Sequence, residues 1–344
     1  MSDVKISVVV PVHNAAAYLS ETLDSLACQS FRDFEAVLVD DGSTDDSPVI
    51  LDGICARDGR FRALHIPNGG AYNARLAGIR EARGAYIAFC DSDDLCRPDY
   101  LEKLFRQAEK TGADLTVCGF TREDMETGRI RSREMVAFGD RVFTVPELAD
   151  ILPRVNVSVW NKLFRAELLR HVIRLEQPPR VAEDLMFVCS LYPFLRKIAF
   201  VPDALYRYRV RADSALARMT AEDCDLMREN LLRMREYVFR NDGSPEMRYV
   251  MDCIAFLHIA QGQVLFLTES GEKPGRALAS ARRWLDRHAP GYREAGHSLR
   301  WNRDHDNVQL RILIGRWIFR AHLMGPALRA YRLITRTGVQ EYKW

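Results

Sequence analysis

Three carboxylates in four positions, Asp91, Asp93 and Asp94, follow the apolar run Ala85–Cys90 and precede a proline at 98. Such a cluster repels itself unless a cation sits among its members. Hard oxygen donors suit Mg²⁺ or Mn²⁺, ions commonly shared with the phosphates of a substrate. At the carboxyl end of a strand, these acids would stand where open α/β sheets bind ligands. The alternative is an acidic surface turn that also caps the next helix, since Asp is common in both places.

A second acidic run, Val39-Asp40-Asp41-Gly42-Ser43-Thr44-Asp45, also closes an apolar stretch. Gly42 allows a tight turn and Ser43 or Thr44 can cap a helix. A carboxylate placed there can accept the imide N–H of a pyrimidine, or it can serve as acid and cap with no ligand. The first apolar run ends in Pro11-Val12-His13-Asn14. Three strand-to-helix switches therefore carry polar residues at one edge. No GxGxxG or GxxxxGK[ST] follows any of these runs, which disfavours Rossmann and P-loop sites.

The elements that must hold these residues alternate. Ile6–Val12, Phe34–Asp40, Phe61–Ile66, Ala85–Cys90 and Asp114–Phe120 are short, rich in Val, Ile and Phe, and mostly continuously apolar, the pattern of strands buried on both faces of a parallel sheet. Between them Leu19, Leu23 and Leu26, then Leu76 and Ile79, then Leu101, Leu104, Phe105 and Ala108 recur at helical spacing. The fold class expected is α/β, a doubly wound, mostly parallel sheet. Past Gly128 the pattern weakens to about Pro153. Strand-like signal returns at Val155–Trp160 and Ile198–Val210, and helices are expected at Glu222–Phe239, Glu246–Leu267 and Arg276–Arg287. The expected division is 1–214 and a helical accessory region, 215–344.

With 344 residues, 47% apolar and 28% charged, the chain reads as an ordinary globular protein larger than one small core. A formal charge of +2 argues against a dedicated nucleic-acid binder. The eight cysteines form no CxxC pair and read as reduced, buried thiols, which fits a cytoplasmic setting. The N-terminus shows no secretory signal, and no apolar run approaches the roughly 20 residues of a membrane span.

The segments PVHNAAAYLSETLDSLACQSFRDFEAVLVDDGSTDDS and NGGAYNARLAGIREARGAYIAFCDSDDLCRPDYL resemble the family 2 glycosyltransferases of the GT-A fold. Trp160-Asn161-Lys162-Leu163-Phe164, Glu183-Asp184 and Tyr206-Arg207-Tyr208-Arg209 extend the similarity over residues 4–214. The resemblance implies a metal-dependent inverting enzyme that moves a sugar from a UDP-sugar to a hydroxyl acceptor, in assembly of a bacterial surface polysaccharide or other glycan. It implies that Pro11 and Val12 line the nucleotide, that Asp41 holds uracil, and that Asp91-Ser92-Asp93 is the DxD element. There Asp91 lies near the ribose and Asp93 on Mn²⁺ or Mg²⁺, with Asp91 a further candidate ligand. Asp184 matches the general base, with Glu183 its rival, and Trp160 and Lys162 match an acceptor-side motif. Lys162 is also a candidate donor contact. The family usually carries an aromatic residue where this chain has His13, and Arg-Asn where it has Arg75-Leu76.

Strand periodicity puts Arg207, Arg209 and Arg211 on one face, either solvated or facing a diphosphate or anionic acceptor; Arg209 is the candidate donor contact. The run Gln309–Ile334 mixes apolar residues with five arginines. It can lie on the inner face of the cell membrane near a lipid-linked or saccharide acceptor, or pack on protein, and self-association stays open. Two other readings compete: a nucleotidyltransferase, which lacks its Gly-rich, Lys-containing loop here, and a nucleotide-sugar-binding scaffold derived from a transferase.

Overall fold

The computed structural model describes residues 4–175, 178–210, 220–269, 271–293 and 314–319. These divide into two compact units, one of residues 1–145 with 157–218, the other of residues 146–156 with 219–344. The segment 146–156, which the sequence reading leaves with the N-terminal half, groups with the helical region.

In the first unit the chain alternates β1 (Ile6–Val12), α1 (Ala16–Ala27), β2 (Phe34–Asp41), α2 (Ser47–Arg57), β3 (Phe61–Ile66), α3 (Ala71–Glu81) and β4 (Tyr86–Phe89). Strands β3, β2, β1 and β4 lie side by side and parallel, with Val12 opposite Asp40 and Val9 opposite Phe89. All seven residues of β1 are buried, since it has neighbours on both sides and covered faces. Edge strand β3 keeps only Phe61 fully buried. Because the registers align, the carboxyl ends of β1, β2 and β4 reach one edge of the sheet. That edge carries His13, Asp41 and Asp91.

The short β5 (Leu95–Cys96), helix α4 (Tyr100–Thr111), β6 (Leu115–Asp124), β7 (Ile130–Glu134) and β8 (Val142–Thr144) follow. After α5 (Val145–Ile151) come β9 (Lys162–Arg165), α6 (Glu183–Ser190) and the long β10 (Lys197–Val210). The sheet continues from β4 through β9, β6 and β10 to β5, with β9 antiparallel to both neighbours and β10 parallel to β6. The strand expected at Val155–Trp160 is not one. Val155, Val159 and Trp160 are apolar because they are buried, and ladder pairing begins at Lys162.

Helix α3 also departs from expectation. Its buried face is Tyr72, Ala74, Arg75, Ala77 and Gly78, whereas Leu76 and Ile79 are partly exposed. Gly78 explains the shift: a β-carbon there would stand 2.3 Å from Val9 Cγ1, so only glycine lets α3 lie this close to β1. That approach carries Arg75 to the strand ends.

The second unit contains α7 (Ala221–Asn241), α8 (Pro245–Ala255), α9 (Val264–Glu269) and α10 (Pro274–His288). Thr220 starts α7 with a reciprocal capping box to Asp223, and Ser244 caps α8 ahead of Pro245. The single helix expected at Glu246–Leu267 is instead α8, a π-helical stretch (Phe256–Gln263) and α9. Gln263 faces α7, donating to the Cys224 carbonyl and accepting from Arg228. Arg235 and Asp252 form a buried ion pair at 2.6 Å. Of the basic run Gln309–Ile334, only Ile314–Phe319 lies within the described residues, as helix with Trp317 exposed. No helix among the described residues is long and apolar enough to cross a membrane.

Candidate active site

The two acidic runs, so similar in sequence, are built differently. At the end of β2, Asp40 accepts from the Ser43 amide at 3.0 Å and pairs with His65 Nδ1 at 2.9 Å. Burial opposes its charge, but these hydrogen bonds prevail and lower its pKa. Asp41 is 3% exposed, and its two oxygens accept the amides of Gly69 (2.7 Å) and Gly70 (2.8 Å). Gly70 is the N-cap of α3, so Asp41 closes that helix start, where negative charge is favoured. Gly42 has φ +64° and lies against Asn68, a conformation and approach that a side chain would obstruct. His13 Nδ1 lies 2.8 Å from the Asp41 carbonyl, and the Asn68 amide is within 3.3 Å of the same ring. Pro11 and Val12 are buried at the end of β1.

The loop after β4 divides its three acids. Asp94 is fully buried, accepting from Tyr206 Oη at 2.9 Å and from the Arg209 amide at 2.8 Å. Burial, with Asp93 and Asp91 beside it, raises its pKa well above the usual carboxylate range. Asp91 and Asp93 are partly exposed, Asp91 to about the same extent as Asp184, 27% of its side chain. The helix-capping alternative fails, because Asp99 rather than this loop stands at the start of α4 and makes no side-chain cap.

Arg75 joins this loop to α6. Its Nη2 donates to Asp91 Oδ1 at 3.1 Å and its Nη1 to Asp184 Oδ1 at 2.8 Å, while Glu183 lies 3.8 Å away. The guanidinium is buried, which penalises its charge, yet Asp184, Asp91 and Glu183 outweigh that cost and raise its pKa. Asp184 and Glu183 each expose about a quarter of the side chain, 28% and 26%. Burial raises both: Glu183 is pushed up to about 7 against the pull of Arg75. Asp184 rises too, with Arg75, Lys162 and the Val159 amide opposing. Just before them Ala182 has φ +60°, a left-handed conformation that costs an alanine roughly 1–2 kcal/mol and is tolerated where surrounding structure demands it.

Lys162 is fully buried near Asp184, donating to the Ser158 carbonyl at 2.6 Å and to Asn161 Oδ1 at 2.9 Å. Burial lowers its pKa to about 7. Trp160 does not face a cleft; it is 5% exposed and stacks on Tyr206 and Tyr208. Arg207 is engaged by Glu123 at 2.7 Å. Arg209 bonds Glu21 and the Asp93 carbonyl, so it borders the acidic loop, and Arg211 lies outside the described residues. A cleft of about 700 Å³, walled in part by Arg97, Lys103, Glu123 and Arg207, opens on the β5–β10 flank.

Sequence reasoning gave Arg75 no role, and it missed Tyr206 and Asp94 as a pair. For Arg75 a signal existed, because it stands three residues after Tyr72 on one face of a predicted helix. The same reading took Leu76 and Ile79 as the buried face.

The sequence profile of Glycosyl transferase family 2 matches residues 7–173. EpsJ of Bacillus subtilis is 33% identical over 215 residues, 61% of this chain and 62% of EpsJ. EpsH of the same organism is 31% identical, the match covering 74% of each chain. The chain belongs to the family 2 glycosyltransferases. A crystal structure of Staphylococcus aureus TarS (residues 1–349) in complex with UDP-GlcNAc superposes with a TM-score of 0.68 at 20% identity, over 98% of this chain and 93% of that one. The fold is therefore GT-A, with helices following the catalytic-type sheet.

Among the described residues no three His, Cys, Asp or Glu side chains converge as a ready-made metal cage. Beside phosphates, Mg²⁺ or Mn²⁺ is usually held by one or two carboxylates, with the substrate completing the shell. Partly exposed Asp91 and Asp93 offer such a donor set.

Proposed function

We propose that this family 2 glycosyltransferase moves a sugar from a UDP-sugar to a hydroxyl of a saccharide or lipid-linked acceptor, with inversion, in assembly of a surface glycan. The observation that carries the reading is Arg75, whose one guanidinium holds Asp91 from the end of β4 and Asp184 from the start of α6. The acids assigned to donor and acceptor chemistry thus share one buried cation while approaching from separate elements. A displacement needs this division, with a base at the bond being made and charge stabilisation at the bond being broken. Family resemblance supplies the surface-glycan setting, and the TarS complex supports a uridine donor.

The backbone of Pro11 and Val12, with Asp41, His13 and Asn68, forms the wall assigned to the uridine. Asp93 with Asp91 would hold Mn²⁺ or Mg²⁺, which when bound acts as a Lewis acid toward the leaving diphosphate. Asp184 takes the proton of the acceptor hydroxyl as its oxygen attacks the anomeric carbon. Arg75 fixes the direction in which that carboxylate points. Lys162 and Arg209 act beside these groups, Lys162 beneath the base and Arg209 against the acidic loop. A catalytic domain of residues 1–214 with an accessory helical region remains our assignment of labour between the two parts.

Asp184→Asn keeps size but cannot take a proton. Turnover of an identified acceptor should fall at least about 10²-fold, the scale of general-base loss, while UDP-sugar affinity holds. Glu183 is a second reading because its pKa near 7 suits a base. If it is the base, Glu183→Gln abolishes the acid limb of the rate–pH profile and is the more damaging change. Donor binding without turnover across a full sugar and acceptor panel would make the protein a nucleotide-sugar binder instead.

A further inference from the structure

The acidic loop is tied down by a buried pair that the proposed reaction does not itself use. Tyr206 is 0% exposed, and its hydroxyl donates to Asp94 Oδ2 at 2.9 Å and accepts from the Asp91 amide at 3.1 Å. One hydroxyl thus fastens both ends of the segment Asp91–Asp94 to β10. The second oxygen of Asp94 accepts the Arg209 amide, from the same strand. The Tyr206 ring cannot swing away: it stacks on Trp160 with centroids 4.5 Å apart and an interplanar angle of 15°, and Tyr100 tilts against it at 6.1 Å. The Trp160 carbonyl accepts from the Tyr100 hydroxyl, and Asn161 bonds Cys118 twice, its side-chain amide donating to the Cys118 carbonyl and its own carbonyl accepting the Cys118 amide.

Resting on the proposed use of Asp91 and Asp93 toward a cation-bridged diphosphate, we infer that Tyr206 and Asp94 are positioning residues that preset this loop for the cation. Two carboxylates two residues apart repel, and a free loop would splay them. A loop already fixed spares the ordering cost on binding. Asp94 contributes as an anchor directed into the protein, which is why three acids appear in the sequence where two face the ligand. Neither residue touches the reacting atoms.

The test is calorimetry of UDP binding in Mn²⁺ and in EDTA for wild type, Tyr206→Phe, Asp94→Asn and, as control, Tyr208→Phe. Tyr206→Phe keeps the stacked ring and removes only the hydroxyl. The Mn²⁺-dependent gain in UDP affinity should shrink about tenfold, the upper range for one lost hydrogen bond. Affinity in EDTA should hold, and Tyr208→Phe should behave as wild type. Asp94→Asn should move the gain in the same direction and decides the matter if Tyr206→Phe does not fold. Folded variants with an undiminished Mn²⁺-dependent gain would reduce the pair to a structural role and overturn the inference alone. A wild type whose UDP binding ignores Mn²⁺ would overturn the functional reading and this inference with it.

Discussion

The ends of β2 and β4 each carry a cluster of aspartates after an apolar strand, yet they solve the problem of crowded charge in opposite ways. At β2 both carboxylates are spent on the protein: Asp40 on His65 and Ser43, Asp41 on the amides that open α3. At β4 Asp94 is spent inward, on β10, and Asp91 pairs with the buried guanidinium of Arg75, while Asp91 and Asp93 both keep part of their surface exposed. The carboxylates of the first cluster are buried in the sheet edge, whereas the second keeps two partly exposed acids there. Acidic residues at a strand end therefore identify a place in the sheet; which of them reach a ligand depends on the donors supplied by distant segments.

The sharpest way to break this comparison is to remove the cation that joins the second cluster to α6. Arg75→Met fills similar space but leaves Asp91, Asp184 and Glu183 facing one another without the guanidinium they share. Stability should fall by about 3 kcal/mol or more, as when one partner of a buried ion pair is deleted. Urea unfolding measures it, and a loss under about 1 kcal/mol, the range of an exposed pair, would show that the three acids do not depend on this residue.

A smaller effect sharpens the contrast. Asp41→Asn can accept only one of the two amides that Asp41 now holds, and it removes charge at the start of α3. The protein without ligand should lose about 1–2 kcal/mol, the usual cost of a lost cap or charged hydrogen bond. Asp91→Asn, at a partly exposed site, should cost less. Equal losses in the two variants would erase the distinction drawn between the clusters.

Much of this was legible in the sequence, for reasons that also explain what was not. Strands β1, β2 and β4 are mostly apolar because both faces are covered, and the acids mark the carboxyl ends of β2 and β4. The β9 segment was misplaced by a few residues because Val159 and Trp160 are apolar for packing, not for pairing. The spacing of Arg75 from Tyr72 can put it on the buried face of α3, but that spacing alone does not say that Gly78 brings this face against β1 and delivers the arginine to acids at positions 91 and 184. The Tyr206–Asp94 pair spans more than a hundred residues, and only the fold brings it together. In the same way, no periodicity reports the π-helical stretch before α9, whose last residue, Gln263, bonds α7.

The central claim, that the β4 cluster is the one held open for a cation and a diphosphate, is tested most directly by titrating UDP into wild type and Asp93→Ala with Mn²⁺ and with EDTA. Wild type should bind UDP more tightly with Mn²⁺, and Asp93→Ala should lose that gain while melting as wild type does, since a substitution at a partly exposed loop position usually changes stability by about 0.5 kcal/mol or less. An Asp93→Ala protein that keeps the full Mn²⁺-dependent gain would contradict the claim.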